Sequence, residues 1–361
     1  MMVSIIYFNQ LQFVNNSKIK WIADRSNRPE ALKKELKTMR VFLKTTTMLL
    51  AIAATSTSFA STRWDMATPY VDSTHHTQNI RQFAEDVKAA TDGELEIVVH
   101  AGGSLINHKE IVRAVRSRQI SIGEVFIGIL GNEDPVFKLD NLPFLATDFD
   151  QAKKLYDVSK ATIENKLAED NMMLLYSVPW PPQGIYSKKA INSVADMEGG
   201  KMRAYSSTLS QLSVLLKASP TTVQTVEIPQ AFSTGIIDMM ITSPTTGVSS
   251  QSWDYVSHYT DVQAWIPKNM VIINTRAFKR LDEKTQQGLL QASADAELRG
   301  WEMAKKETAL NTKILADKGI NVAAPTEALM TSLNSIGDTM AKDWLKEAGT
   351  EGKAILDAYK K

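Results

Sequence analysis

The chain has 361 residues, of which 43% are hydrophobic and 22% charged, and this composition predicts a globular protein large enough for two domains rather than a disordered one. It contains no cysteine, which excludes thiolate catalysis, disulfide bonds and Cys-ligated zinc. Residues 61–361 hold 32 basic and 37 acidic side chains and no basic run, so we expect no nucleic-acid partner.

The N-terminal part of the chain has the features of an export signal. Basic residues precede an apolar run at 48–54, and Ser58 and Ala60 are small residues of the kind that signal peptidase requires. The run is too short for a permanent membrane span. We therefore interpret residues 39–60 as a cleaved Sec-type signal peptide, which predicts a periplasmic protein, and residues 1–38 as a mis-called extension upstream of the true start codon.

The segment after residue 60 alternates between strand and helix patterns. Residues 63–68 are strand-like, a helix begins near Thr74 and ends at Gly93, residues 94–100 form a second strand, and a second helix follows around Ile111. Such alternation predicts an α/β fold with a mainly parallel sheet, covered by helices on both faces. Ligands of such sheets bind at the carboxyl ends of the strands.

The remainder of the chain repeats this alternation. Strand patterns at 172–178, 201–204 and 236–242 predict a second α/β domain. Near the end, Asp282 caps a helix pattern that stops at Gly319. The apolar residues of this pattern include Leu289, Leu290, Leu298, Trp301, Leu310 and Ile314. A helix of this length spans roughly 50 Å, so we expect it to cross both domains.

Several short motifs follow one another in an order and spacing that resemble a known protein family. They are Phe83-Ala84-Glu85, Thr91-Asp92-Gly93, Gly102-Gly103-Ser104-Leu105, Asn141-Leu142-Pro143-Phe144, Asp196-Met197-Glu198-Gly199-Gly200-Lys201-Met202-Arg203 and Gly235-Ile236-Ile237-Asp238. On these motifs the chain is identified as a member of the DctP type of substrate-binding subunits of TRAP transporters, the tripartite ATP-independent periplasmic systems.

The resemblance implies a two-domain Venus-flytrap fold, with strands that cross between the domains and a long helix that braces both. The first domain would comprise 61–180 and 270–308, and the second 181–269 and 309–361. The protein would capture a small organic carboxylate in the interdomain cleft and deliver it to the small and large membrane subunits of the transporter. We expect a monomer with no cofactor and no enzymatic activity, which is not membrane-embedded after signal cleavage.

The resemblance also implies that Arg203 forms a paired salt bridge to the ligand carboxylate. The planar guanidinium suits this role because its two parallel N–H groups match the two carboxylate oxygens. Spacing alone would instead predict a surface arginine after a short strand.

Three further positions bear on the class of ligand. Gln183 stands where many family members carry a second arginine, and an amide does not balance a second carboxylate. Thr242 and Ser243 stand where some relatives have asparagine, and their hydroxyls can anchor a carboxylate or a substrate hydroxyl. These residues favour a monocarboxylate, such as a hydroxy, oxo or aromatic acid, although a C4-dicarboxylate is the family default.

Four other residues are candidates for the cleft. Phe126 and Trp180 predict an apolar pocket, with core packing as the alternative for both. His75, at the start of the first helix, reaches the ligand in the closed form or else lies in solvent. Asn107 lies opposite the cleft in the first domain.

Other functional classes have little support in the sequence. The usual catalytic and phosphate-binding motifs do not occur. The five histidines lack the spacing of a transition-metal site. The sequence does not decide whether a cation bridges the protein and its ligand. One alternative is a periplasmic enzyme with His75 or Glu124 as general base. Another is a ligand-sensing partner of a membrane histidine kinase that uses the same cleft.

Overall fold

The computed structural model describes residues 61–361, together with Glu30 and Lys34. The predicted extension and signal peptide otherwise lie outside the described residues. Within 61–361, no helix is both long enough and apolar enough to cross a membrane.

The regular elements of residues 61–361 alternate as the sequence predicts. The strands are β1 (Thr62–Ala67), β2 (Leu95–His100), β3 (Ile122–Phe126), β4 (Met172–Pro179), β5 (Gly184–Ser187), β6 (Lys201–Ala204), β7 (Ser219–Thr222), β8 (Met239–Thr242), β9 (His258–Thr260), β10 (Lys268–Asn274) and β11 (Asn321–Ala323). The helices are α1 (His75–Ala90), α2 (His108–Arg116), α3 (Phe149–Glu169), α4 (Ser207–Leu215), α5 (Ile228–Ser233), α6 (Pro244–Ser249), α7 (Thr275–Phe278), α8 (Glu283–Asp317) and α9 (Glu327–Lys360).

The strands form two sheets, and each sheet is the centre of one lobe. The first lobe contains a five-stranded sheet in the order β2-β1-β3-β10-β4, and the second contains a six-stranded sheet in the order β11-β9-β5-β8-β6-β7. Strand β8 begins at Met239, whereas the sequence pattern predicts a start at Ile236. The reason is that Gly235 adopts a left-handed conformation after α5, which leaves Ile236 half exposed in a turn.

Both sheets are mixed, which corrects the expectation of mainly parallel sheets. In the first sheet β1 runs parallel to β2 and β3, but β10 is antiparallel to β3 and β4. In the second sheet β6 runs parallel to β7 and β8, but β5 is antiparallel to β8 and β9. The antiparallel strands β5 and β10 each follow a connecting segment that comes directly from a strand of the opposite lobe.

Two of the segments that cross between the lobes lie side by side. One segment connects β4 to β5 and the other precedes β10. The Trp180 N–H donates to the Pro267 carbonyl at 2.8 Å, and the Gln183 N–H donates to the Trp265 carbonyl at 3.1 Å. A further bond returns from the Ala264 N–H to the Gln183 carbonyl at 2.9 Å. These backbone bonds make the crossing a paired, two-stranded hinge.

The long helix α8 begins where the sequence predicts, because the Asp282 side chain accepts from the Thr285 N–H and caps it. Its 35 residues span about 52 Å. Three of the leucines that were expected to pack, Leu290, Leu298 and Leu310, are instead 44%, 69% and 53% exposed. The helix buries a narrower stripe, which includes Leu289, Ala292, Ala296, Gly300, Trp301, Ala304, Asn311 and Leu315.

Small residues in this stripe let α8 approach the first sheet closely. A side chain at Gly300 would come within 2.4 Å of the Val178 side chain on β4. At the next residue, Trp301 Nε1 donates to the Ser177 carbonyl at 3.1 Å. Asn311 Nδ2 then donates to Thr245 Oγ1 on α6 of the second lobe at 2.9 Å. The helix therefore contacts both lobes, as expected.

Candidate ligand-binding cleft

A cavity lies between the two lobes beside the hinge. It is lined by Tyr70, His108, Phe126, Trp180, Gln183, Arg203, Tyr205, Gln224, Thr225, Thr242, Thr246 and Pro267. Several of these residues end a strand or follow one directly, which is where ligands of α/β sheets bind.

Arg203 on β6 is the charged residue of the cavity lining. Its Nε donates to the Val223 carbonyl at 3.0 Å and its Nη2 to Thr225 Oγ1 at 3.3 Å. The side chain is 3% exposed, and no carboxylate among the described residues is in ion-pair contact with it. Burial lowers the pKa of Arg203 to about 10, so the group stays charged at neutral pH. A buried cation without a counter-ion is costly, and an anionic ligand offsets that cost.

Tyr205 contacts the guanidinium and is itself held by Gln183. Its central carbon lies 5.0 Å from the centre of the Tyr205 ring, a cation–π arrangement. The Tyr205 hydroxyl donates to Gln183 Oε1 at 3.1 Å, and Gln183 Nε2 donates to the Pro181 carbonyl at 2.8 Å. The Gln183 amide is therefore occupied in positioning Tyr205.

The first lobe contributes an aromatic wall, which consists of Tyr70, Phe126 and Trp180. The Trp180 indole N–H and the Tyr70 hydroxyl both donate to Asn269 Oδ1, at 2.8 and 3.2 Å. The two rings meet edge to face with centres 4.9 Å apart. Phe126 packs edge-on against Tyr205 of the second lobe at 5.3 Å. The wall is thus rigid and largely apolar.

A buried polar cluster, formed by Thr68, His76, Glu124 and Asn269, lies behind this wall. Glu124 accepts from Thr68 Oγ1 at 2.5 Å and from Asn269 Nδ2 at 2.9 Å. His76 Nδ1 is 3.3 Å from Glu124 Oε1 but lacks hydrogen-bond geometry. Burial raises the pKa of Glu124 to about 7 and holds the pKa of His76 well below its usual range. Glu124 is therefore separated from the cavity by the residues that it supports.

The structure brings five of the eight predicted ligand residues to the cavity lining, namely Arg203, Gln183, Trp180, Thr242 and Phe126. The other three lie elsewhere, each because of a local structural role.

His75 lies behind Trp180 with ring centres 5.6 Å apart, and its Nε2 is 3.0 Å from the Pro179 carbonyl. Ser243 caps α6, since its Oγ accepts from the Thr246 N–H at 3.1 Å. Asn107 precedes α2 and lines a neighbouring cavity. Within 61–361, no group of three or more His, Cys, Asp or Glu side chains is placed to hold a metal ion.

Sequence reasoning missed seven lining residues, which are Tyr70, His108, Tyr205, Gln224, Thr225, Thr246 and Pro267. For some of them the sequence does carry a signal, because Tyr70 follows β1 closely, Tyr205 follows β6 directly, and Gln224 follows β7 closely. The rule that ligands bind at the carboxyl ends of strands points to such positions. His108 carries no comparable signal.

Two α/β lobes joined by a paired hinge, with a buried unpaired arginine in the cleft between them, define a solute-binding protein of the Venus-flytrap class. The model of the DctP family, bacterial extracellular solute-binding protein family 7, matches residues 67–346, and the chain belongs to this family. The predicted identity as a TRAP transporter solute-binding protein and the predicted two-domain fold are both confirmed.

Solved structures similar to this chain come from the same class of receptor. Bordetella pertussis DctP7 is 48% identical with a TM-score of 0.83, and the match covers 83% of this chain and 100% of that one. Bordetella pertussis DctP6 is 44% identical with a TM-score of 0.82, over 83% and 99%. A TRAP protein from an unidentified marine microbe is 38% identical with a TM-score of 0.82, over the same shares. All three are described as binding pyroglutamic acid or pyroglutamate.

Proposed function

We propose that this protein captures pyroglutamate in the interdomain cleft and delivers it to the membrane subunits of a TRAP transporter. The observation that carries the proposal is the guanidinium of Arg203, which is buried opposite an aromatic wall and has no carboxylate partner among the described residues. Pyroglutamate has one carboxylate on a flat five-membered lactam ring. Three receptors that are 38% to 48% identical to this chain bind that ligand.

The charge of the cleft supports a monocarboxylate. Arg203 is the one Lys or Arg side chain that lines the cavity in the described part of the chain. Gln183 replaces a second arginine and is itself bonded to Tyr205. A dicarboxylate would bring its second charge against the aromatic wall without a counter-ion, and burying an unpaired carboxylate is unfavourable.

The two lobes are proposed to close about the hinge on the ligand, and the closed shape is what the small and large membrane subunits would recognise. We propose the domain boundaries 61–180 with 270–308 and 181–269 with 309–361, with the difference that the end of α9 packs on the first lobe, where Trp344 Nε1 donates to the Pro135 carbonyl at 2.6 Å. The contacts of α8 support the division near residue 308, because Trp301 bonds to the first lobe and Asn311 to the second. Export by the signal peptide and a monomeric state are part of the same proposal.

We propose further that the ligand is bound without covalent change. The suggested general bases His75 and Glu124 both lie outside the cavity lining, behind the aromatic wall. Recovery of unaltered pyroglutamate after incubation with the protein is the expected result. The kinase-sensor alternative has no specific observation in its favour.

The test is calorimetric titration of the wild type and two arginine variants with pyroglutamate. Arg203→Ala should weaken binding at least about 100-fold, because it removes the partner of a buried carboxylate. Arg113→Ala is the matched control, since Arg113 on α2 is an exposed arginine that pairs with Glu110. Its affinity should equal that of the wild type.

Thermal unfolding of the ligand-free proteins separates a binding defect from a folding defect. Ligand-free Arg203→Ala should unfold cooperatively and lose only the stabilisation that ligand provides. Undiminished pyroglutamate binding by this variant, or no binding by the wild type, would contradict the proposal.

A further inference from the structure

His108 bridges the two lobes at the cavity. It is the first residue of α2 in the first lobe, and its Nδ1 lies 3.1 Å from Oε1 of Gln224, which follows β7 in the second lobe. The edge of its ring contacts Tyr70 at a centre-to-centre distance of 5.9 Å. These two contacts fix the orientation of the imidazole across the mouth of the cleft.

The other ring nitrogen has no partner. Nε2 of His108 is buried and makes no hydrogen bond to any described residue, although the ring lines the cavity. A buried polar atom without a partner is costly, so a ligand atom that pairs with it contributes to affinity.

The protonation state of the ring follows from its partner. The amide oxygen of Gln224 can only accept, so Nδ1 must carry the proton of the bridge. Burial lowers the pKa of His108 to about 4, which keeps the ring neutral at physiological pH. In this tautomer Nε2 is a bare acceptor, and it matches a donor on the ligand rather than a carbonyl or carboxylate oxygen.

We propose that His108 is a specificity-determining residue whose Nε2 accepts a hydrogen bond from a ring N–H of the ligand, an inference that rests on the proposed pyroglutamate function. The lactam N–H of pyroglutamate is such a donor, and it lies beside the carbon that bears the carboxylate. Arg203 thus selects the charge and His108 selects the lactam.

The same contact couples recognition to closure. A ligand N–H on Nε2 holds the ring in the tautomer that has its proton on Nδ1. That tautomer is the one that the bond to Gln224 across the cleft requires. A ligand without the donor loses this support for the inter-lobe bond.

The test compares pyroglutamate with 3-oxocyclopentane-1-carboxylate, in which a methylene group replaces the ring N–H while the ring size and the positions of the carbonyl and the carboxylate are kept. By calorimetry the wild type should bind pyroglutamate at least about tenfold more tightly than the carbocycle, since the latter leaves Nε2 unpaired.

Two variants assign this preference to Nε2. In His108→Asn the amide takes the place of the Nδ1 edge and nothing replaces Nε2, so the preference should fall below about threefold. In His108→Gln the longer side chain carries an amide oxygen toward the Nε2 position and should restore part of the preference. His258→Asn on β9, where His258 contacts Ser257, is the control and should keep the wild-type ratio.

The outcomes distinguish the two proposals. Equal affinity of the wild type for both ligands, or an unchanged ratio in His108→Asn, overturns the role of His108 while Arg203-dependent pyroglutamate binding still stands. If neither ligand binds the wild type, the proposed function fails first. A ratio that collapses in His108→Asn and recovers in His108→Gln supports the assignment.

Discussion

The two lobes contribute different chemistry to the cleft. The second lobe supplies the positive charge, with Arg203 held by the Val223 carbonyl and the Tyr205 ring. The first lobe supplies the aromatic wall, which is held by hydrogen bonds to Asn269. If the proposed function holds, the second lobe pairs with the carboxylate of the ligand, whereas the first lobe contacts its ring and its N–H group.

From this difference between the lobes we rank the effects of substitutions on ligand binding and stability. The largest effect is the loss of binding in Arg203→Ala, because it removes the whole charge of the cavity. Changes in the first lobe should weaken binding less, since they loosen a wall rather than remove an ionic partner.

Asn269→Leu is the next largest change and tests the wall directly. It leaves the Tyr70 hydroxyl and the Trp180 indole N–H as buried donors without an acceptor, so the free energy of unfolding should fall by on the order of 2–4 kcal/mol. Pyroglutamate affinity should fall about five- to tenfold, because the two rings lose their common anchor. Chemical denaturation and calorimetry measure the two effects.

The matched control is Asn321→Leu, at an exposed position of β11. It should change neither stability nor affinity appreciably. If Asn269→Leu is less stable but binds pyroglutamate with unchanged affinity, the Asn269 contacts stabilise only the fold. That result would contradict the role of the first lobe in ligand binding.

Glu124→Gln should have the smallest effect, and it is visible only in the pH dependence of stability. Burial raises the pKa of Glu124 to about 7 from its ordinary 4.5, so the folded protein binds this proton more tightly than the unfolded chain. Stability from this group is therefore lost as the pH rises from about 4.5 through about 7. Gln cannot ionise, so the Tm of the variant relative to the wild type should increase between about pH 5 and about pH 8.

The neighbouring histidines contribute with the opposite sign. Burial lowers the pKa of His75, His76 and His108, so their contribution to stability is lost as the pH falls below about 6.5. The Glu124 carboxylate raises the pKa of His75 and His108 in the wild type alone, so the two Tm values are compared above about pH 6.5, where these histidines are neutral. A difference that stays constant over this pH range would contradict the buried, proton-binding role of Glu124.

Much of the fold follows from local sequence patterns. The strand–helix alternation and the cap at Asp282 predict elements that the structure contains. The antiparallel direction of β5 and β10 could not be predicted from local patterns, because it depends on how the chain passes between the lobes. The exposed leucines of α8 could not be recognised from the sequence for a similar reason. A helix that lies along two lobes buries only the stripe of residues that contacts them.

A cleft residue could be predicted from the sequence where it belongs to a family motif or lies at the end of a strand. Arg203 closes a motif, and Tyr205 lies directly beyond the same strand. His108 and Gln224 are 116 residues apart in the chain and meet only when the lobes face each other. No local pattern encodes such a pair, and only the assembled structure reveals the unpaired Nε2.

The most direct test of the division between the lobes is a crystal structure of the protein bound to pyroglutamate. We expect both carboxylate oxygens to accept hydrogen bonds from the Arg203 guanidinium, with the lactam ring against Trp180 and its N–H within hydrogen-bond distance of His108 Nε2. A carboxylate held by first-lobe residues, with Arg203 free of ligand contact, would contradict it.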